Sequence, residues 1–103
     1  MMDEKVKKIE LYRILKNLYY LAEKEDKESF NHLNNIYNNL MKDIFGYPWN
    51  DGTESFNWDV ARNGVMVIFS LKPYYGGQDY EKRKKEQLTK ASKKIEELES
   101  YLI

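Results

Sequence analysis

The sequence predicts an α+β fold: an N-terminal antiparallel helical hairpin, a two-stranded β-hairpin and a long C-terminal helix. Three observations support this fold class. Apolar residues recur at helical spacing through the first part of the chain. An Asn-Gly pair then separates an alternating segment from an apolar one. A highly charged stretch with a single apolar seam closes the chain.

The first two helices are predicted at residues 5–23 and 27–45, where apolar side chains fall on one helical arc. Asp26 is the expected N-cap of the second helix, with Ser29 as the alternative, and Gly46 is the expected stop. The opposite face of the second helix is rich in asparagine, a mediocre helix former, so this helix must be held by packing, most simply as an antiparallel hairpin with the first helix. The apolar residues are Leu11, Ile14, Leu15, Leu18, Leu21 and Ala22, then Phe30, Leu33, Ile36, Tyr37, Leu40, Met41 and Ile44.

The β-hairpin is predicted from two strands at about residues 55–62 and 65–71. In the first strand Phe56, Trp58 and Val60 alternate with polar residues, as in a strand with one buried face. Asn63-Gly64 is the preferred pair for a type I′ turn, in which both central residues need a positive φ. The second strand is rich in β-branched residues, which favour extended structure.

The last helix is predicted at residues 79–102, after a loop that contains two tyrosines and two glycines. Its apolar seam is formed by Tyr80, Leu88, Ala91, Ile95, Leu98 and Leu102. The first two turns carry almost no apolar residue beyond Tyr80, so we expect them to project into solvent.

The composition narrows the range of functions. The 103 residues are enough for one domain, predicted over residues 1–103, and the 17 basic and 17 acidic side chains cancel. The chain has no cysteine and a single histidine, and no cofactor or metal site is predicted. The N-terminus has no apolar run long enough for a signal peptide or a membrane span. We therefore expect a cytoplasmic protein with no membrane partner. Its high content of Lys, Asn and Ile is typical of proteins from bacteria or phages with AT-rich codons.

The predicted second strand is apolar on both sides, because Met66 and Ile68 point away from the face that Val65 and Val67 would bury. This apolar outer face must be shielded from water by another surface. Pairing of two hairpins in a homodimer would supply one, and Met66 and Ile68 are then the self-association residues. The alternatives are that the C-terminal helix covers the face within the chain, or that a foreign strand adds to the edge.

Aromatic residues in the loops that flank the predicted hairpin are candidates for binding another protein. Tyrosine and tryptophan give a large, rigid contact area with a polar tip, which is why they are common in binding hot spots. The alternative is that they close the ends of a small core. The candidate protein-binding residues are Tyr47, Trp49, Tyr74 and Tyr75.

A basic run opens the last predicted helix and could neutralise phosphates of a nucleic acid. Glutamates interleave with it, so the alternative is a solvated helix face with ion pairs such as Glu81–Lys85. The candidate nucleic-acid-binding residues are Lys82, Arg83, Lys84 and Lys85.

No residue lies in a recognisable catalytic motif, and none is predicted to be catalytic. The sequence thus predicts a small non-catalytic protein-protein interaction module: an inhibitor, an immunity-type protein or a regulatory adaptor that binds another protein and self-associates. The alternative is a nucleic-acid-associated protein that uses the basic start of the C-terminal helix.

Overall fold

The computed structural model describes residues 3–46 and 53–103, and none of these residues lies in a β-strand. Helix α1 spans Glu4–Glu23, α2 spans Lys27–Phe45, α3 spans Thr53–Met66 and α4 spans Gly77–Glu97. Short 3-10 segments, Val67–Ser70 and Leu98–Leu102, extend α3 and α4. The predicted α+β class is therefore wrong, and the fold is all-helical over the described residues.

The predicted N-terminal helical hairpin is present, and local signals account for its ends. The Asp3 carboxylate accepts a hydrogen bond from the Val6 backbone N–H at 2.9 Å, and Asp26 accepts one from Ser29 at 3.1 Å. Each thereby caps a free N–H group of a first turn. Gly46, with φ at 81°, ends α2 in a conformation that costs glycine little.

The turn between α1 and α2 contains one residue in an unusual conformation. Glu25 has φ at 61°, the left-handed region that glycine normally occupies after a helix. Its N–H donates to Ala22 O at 3.0 Å, while the Asp26 N–H donates to Leu21 O at 2.9 Å. This hydrogen-bond pair is a Schellman motif with a glutamate in the position that glycine usually takes.

The predicted β-hairpin at 55–62 and 65–71 is replaced by α3 and the 3-10 segment that follows it. Buried side chains recur here every three or four residues, which is helical rather than alternating periodicity. Phe56, which the strand would bury, is 60% exposed. The buried residues of this segment are Ser55, Trp58, Ala61, Val65 and Ile68.

Asn63-Gly64 does not reverse the chain but lies inside the last turns of α3. Neither residue has a positive φ, so the type I′ turn is absent. The physical reason is that the buried side chains on one helical face outweigh a turn preference, since glycine costs a helix only about 1 kcal/mol relative to alanine. Tertiary packing thus overrides the local signal.

The four helices form an up-down-up-down bundle. Lys8 of α1 pairs with Glu54 of α3 at 2.9 Å, and Tyr12 one turn later meets Trp58, so these helices run parallel. Helices α2 and α4 run opposite to them. One contiguous core contains buried apolar residues from all four helices, with Trp58, Tyr37 and Phe30 its largest fully buried side chains.

A polar cluster joins α2 to α3 beside this core. The Arg62 guanidinium donates to the side-chain oxygens of Asn34 and Asn38 at 3.1 Å each and to Asp59 at 2.6 Å. The Tyr37 hydroxyl donates to Trp58 O at 2.7 Å, and burial raises the pKa of this phenol well above its ordinary value. Part of the asparagine-rich face of α2 is therefore structural.

Candidate binding site

A groove of about 300 Å³ lies between α1 and the C-terminal part of α4. The two helices run antiparallel here, and each contributes one wall. The volume is at the lower end of the range of about 300–1,000 Å³ typical of ligand pockets, which is enough for one or two side chains. The lining residues are Tyr12, Lys16, Tyr19 and Tyr20 from α1, with Ser92, Ile95, Glu96 and Glu99 from α4 and its extension.

Both walls are consequences of helical spacing next to the buried seam. The α1 residues of the groove recur at intervals of three or four positions, on the flank of the arc that Leu11, Leu15 and Leu18 bury. The α4 residues repeat the same spacing around Ile95, which is 5% exposed. The groove is thus built on regular helices anchored in the core, which fix the positions of its two walls.

Tyr12 is the most firmly held residue of the groove. Its hydroxyl donates to Glu99 Oε1 at 2.7 Å, and its ring packs edge-on against Trp58 with centroids 6.5 Å apart. Burial, followed by the hydrogen bond to Glu99, raises the pKa of the Tyr12 phenol to about 12. The phenol is therefore neutral at physiological pH and acts as a hydrogen-bond donor.

The other two tyrosines are more accessible. Tyr19 is half-buried, and burial together with the nearby Glu23 raises the pKa of its phenol. Tyr20 is 52% exposed, and its ring lies beneath the Lys24 ammonium group at 4.3 Å. Lys16 Nζ likewise lies 5.3 Å from the Tyr12 ring centroid. Two ring faces at this site thus attract ammonium groups of the chain itself.

The carboxylates of the groove have no basic partner among the residues that the structure describes. Glu96 and Glu99 are both exposed, and neither forms an ion pair with a residue of 3–46 or 53–103. Glu99 accepts the Tyr12 hydroxyl through one oxygen only. The groove therefore offers carboxylate oxygens that the described part of the chain leaves open.

The opposite end of the α1–α4 contact contains the contrasting arrangement. Glu25 forms ion pairs with Lys84 at 2.9 Å and Lys72 at 3.1 Å, and the Tyr80 hydroxyl also donates to it. These donors, Lys84 first, lower the pKa of the Glu25 carboxyl to about 2. Burial and this hydrogen bond raise the pKa of Tyr80 to about 12. We call this cluster of four side chains the Glu25 corner.

The basic run at the start of α4 is divided between several environments. Lys84 belongs to the Glu25 corner, and Arg83 lies over the Tyr75 ring at 5.1 Å and 3.9 Å from Glu86. Lys82 and Lys85 are exposed. A second depression includes them, and the lining residues that it has within the described ranges all come from α4.

The predicted protein-binding residues do not gather at one site in the described structure. Tyr47 and Trp49 lie outside the described residues. Tyr74 is 81% exposed, whereas Tyr75 is half-buried beneath Arg83. A role of these residues in binding another protein stays a prediction.

The two residues predicted for self-association lie in different environments. Met66 is 39% exposed near the end of α3, but Ile68 is fully buried in the core. The argument for pairing two hairpins no longer applies, because the strands on which it depended are helical. Whether the chain forms a homodimer stays a prediction.

Sequence reasoning missed the groove. Tyr12 and Tyr19 are recognisable in the sequence as a pair two helical turns apart on the edge of an apolar arc. Their partners on α4 are not, because Tyr12 and Glu99 are separated by 87 positions. The useful signal was a run of tyrosines beside a buried seam, where an aromatic residue with a polar tip often lines a half-exposed site.

No family model, curated protein or solved structure matches this chain. Within the described ranges, no three His, Cys, Asp or Glu side chains are grouped so that they could hold a metal ion. None of the helices described is both long and apolar enough to cross a membrane. A functional hypothesis for this chain must therefore be argued from the geometry and charge of its surface.

Proposed function

We propose that this chain is a small non-catalytic binding protein whose groove between α1 and α4 receives a segment of another protein. The observation that carries the proposal is the combination of three tyrosines with two carboxylates that lack a basic partner among the described residues. These groups lie side by side on two rigid helices. An inhibitor or a regulatory adaptor would use such a site.

The energetic argument concerns what the groove offers a partner. Tyrosine contributes a wide apolar surface and a hydroxyl at low entropic cost, and such residues dominate the binding energy of many interfaces. Tyr12 is already fixed by Glu99 and Trp58, so a partner need not order it. The Tyr12 and Tyr19 rings also pack against the core. The ring faces of Tyr12 and Tyr20 carry the exposed side chains of Lys16 and Lys24, which a partner can displace.

Site-specific photo-crosslinking tests this proposal. Ser92 lies in the α4 wall, and replacing it with p-benzoylphenylalanine places a photoreactive group inside the groove. Ser70, exposed on the 3-10 segment after α3, is the matched control. In the native host, we expect a covalent adduct with another protein from position 92 and none from position 70. Adducts of equal yield from both positions, or no adduct from position 92, would contradict the proposal.

Nucleic-acid binding through α4 is the second candidate, and one observation favours it. Lys82, Lys85 and Lys90 are exposed along one side of the helix, where they could neutralise phosphates. Two members of the original run are engaged elsewhere, since Lys84 pairs with Glu25 and Arg83 covers Tyr75. This leaves too few free cations for us to prefer it. Salt-dependent retention on heparin that disappears in a Lys82→Gln/Lys85→Gln variant would reverse this preference.

A further inference from the structure

We infer that the occupant of the groove is a lysine or arginine side chain from a basic segment of the partner protein. This inference rests on the proposed function and adds the chemistry of the partner. Three independent features of the groove carry it: its charge, its aromatic faces and its shape.

The charge of the groove is locally negative although the chain as a whole is neutral. Its lining includes two glutamates and one lysine. Glu23 lies near the Tyr19 phenol and Lys24 lies over the Tyr20 ring, so three carboxylates face two ammonium groups. No ion pair within the described ranges involves Glu96, Glu99 or Lys16. A carboxylate on a protein surface is normally satisfied by water, and a cation that arrives with its own hydrogen-bond donors can replace this water. Complementary charge therefore favours a basic ligand over an acidic one.

The faces of the tyrosine rings attract ammonium groups, as two lysines of the chain itself show. Lys16 and Lys24 place their ammonium groups 5.3 Å and 4.3 Å from the ring centroids of Tyr12 and Tyr20. A cation within about 6 Å of a ring centroid is attracted by the negative face of the ring. Lys16 is exposed and can rotate away. It therefore occupies, in the free protein, the ring face that a partner's cation would take over.

The shape of the groove suits a long, thin side chain. At about 300 Å³ it accommodates an aliphatic stem along Ile95 and the tyrosine rings, with the charged head at the glutamates. An arginine would also stack its planar guanidinium on a ring and bond a carboxylate through two N–H groups. We therefore expect arginine to bind more tightly than lysine.

Selection from a random peptide library displayed on phage tests this inference with the intact protein. Binders are collected on the wild type after removal of those that also bind a Ser92→Trp variant, in which the groove is filled. A Ser70→Trp variant is the control for adding a tryptophan to the surface. We expect the remaining peptides to share a lysine or arginine and to bind wild type and the Ser70→Trp variant equally.

The contribution of the charge is measured by paired substitutions on both sides. Replacing the shared arginine by citrulline, or the shared lysine by acetyl-lysine, should weaken binding about tenfold, as should Glu96→Gln with Glu99→Gln. The amide oxygen introduced by Glu99→Gln still accepts the Tyr12 hydroxyl, and an unchanged melting temperature confirms that the double variant folds. A Glu28→Gln/Glu81→Gln variant changes the net charge equally at exposed positions outside the groove and should bind like wild type.

The outcomes separate this inference from the proposed function. Peptides that depend on the groove but contain no shared basic residue would overturn the inference and leave the binding function intact. Absence of any peptide that depends on the groove would overturn both. Tighter binding of free spermidine than of any selected peptide would show that the groove recognises a small polyamine instead of a protein segment.

Discussion

The two ends of the contact between α1 and α4 present the same chemical groups in opposite states. At the Glu25 corner, one carboxylate is saturated by two lysines and a tyrosine hydroxyl. At the groove, Glu99 accepts a single hydrogen bond from Tyr12, and Glu96 has no ion-pair partner in the part of the chain that the structure describes. Tyrosine, lysine and glutamate side chains thus occur at both ends. Among the described residues, only at the Glu25 corner does the glutamate form ion pairs with lysines as well as a hydrogen bond with a tyrosine.

This difference distinguishes a structural polar cluster from the proposed binding surface. Saturated charges hold helices in register, and removal of one partner leaves the others unpaired. Open charges on a rigid surface add little to folding, yet they remain available to a ligand. Glu25 combines this complete pairing with a left-handed backbone conformation that glycine adopts more easily.

The largest expected contrast compares two tyrosines. Tyr80 at the corner is 5% exposed, whereas Tyr20 at the groove is 52% exposed. Tyr80→Ala should lower the free energy of unfolding by about 3–4 kcal/mol, because it removes a buried ring. Tyr20→Ala should cost less than about 1 kcal/mol. Urea denaturation measures both changes in the free energy of unfolding. Similar changes would show that the two ends contribute equally to the stability of the fold.

A smaller contrast compares two glutamates. Glu25→Gln removes the charge that both lysines share, and it should cost about 2 kcal/mol. Glu96→Gln should change the free energy of unfolding by less than about 0.5 kcal/mol, since no described residue forms an ion pair with it. The same urea titrations apply. A costly Glu96→Gln would mean that the groove carboxylates stabilise the fold after all.

Acid should weaken the corner through the same carboxyl group. The pKa of Glu25 is lowered from 4.5 to about 2 in the folded protein, so the unfolded chain binds the extra proton between these values. The contribution of Glu25 is therefore complete above about pH 4.5 and is lost as the pH falls toward 2. We expect wild type to lose roughly 1–2 kcal/mol more than the Glu25→Gln variant over this interval. Parallel pH profiles of the two proteins would exclude the effect.

The sequence predicted the helical hairpin because its signals are local. Asp26 and Gly46 define the ends of α2 through their own hydrogen bonds and dihedral angles, and neither depends on the rest of the chain. The last helix was recognised from its seam for the same reason. Tyr80 of this seam is buried as predicted, but its partner Glu25 is remote in sequence and could not be foreseen.

The segment around α3 was mispredicted because short apolar runs fit two periodicities. Trp58 and Val65 are compatible with both an alternating strand and a helical face, and the Asn-Gly pair favoured the strand. The deciding contacts are remote in sequence, such as the Tyr37 hydroxyl on Trp58 O. The groove escaped prediction in the same way, because its two walls come from opposite ends of the chain.

A substitution of Gly64 has the smallest expected effect. Gly64 faces α4 between the Glu25 corner and the groove, so the substitution tests both the helical conformation of this segment and the independence of the two ends. Gln87 Nε2 donates to Gly64 O at 2.9 Å, and Gln87 lies between Lys84 of the corner and Ser92 of the groove. A Cβ on Gly64 would be 3.8 Å from Gln87 Nε2, an ordinary contact, and the residue has a helical φ. Gly64→Ala should therefore raise the free energy of unfolding by about 0.5–1 kcal/mol.

The same substitution would be costly in a type I′ turn, where alanine does not tolerate the positive φ. Thermal and urea denaturation of the Gly64→Ala variant thus distinguish a helix from a hairpin at this position. Because the added methyl group contacts neither the Glu25 corner nor the groove, the stability difference between Tyr80→Ala and Tyr20→Ala should be unchanged in the Gly64→Ala background. A change in that difference would show that the two ends are coupled through the middle of α4, rather than acting as independent regions of one interface.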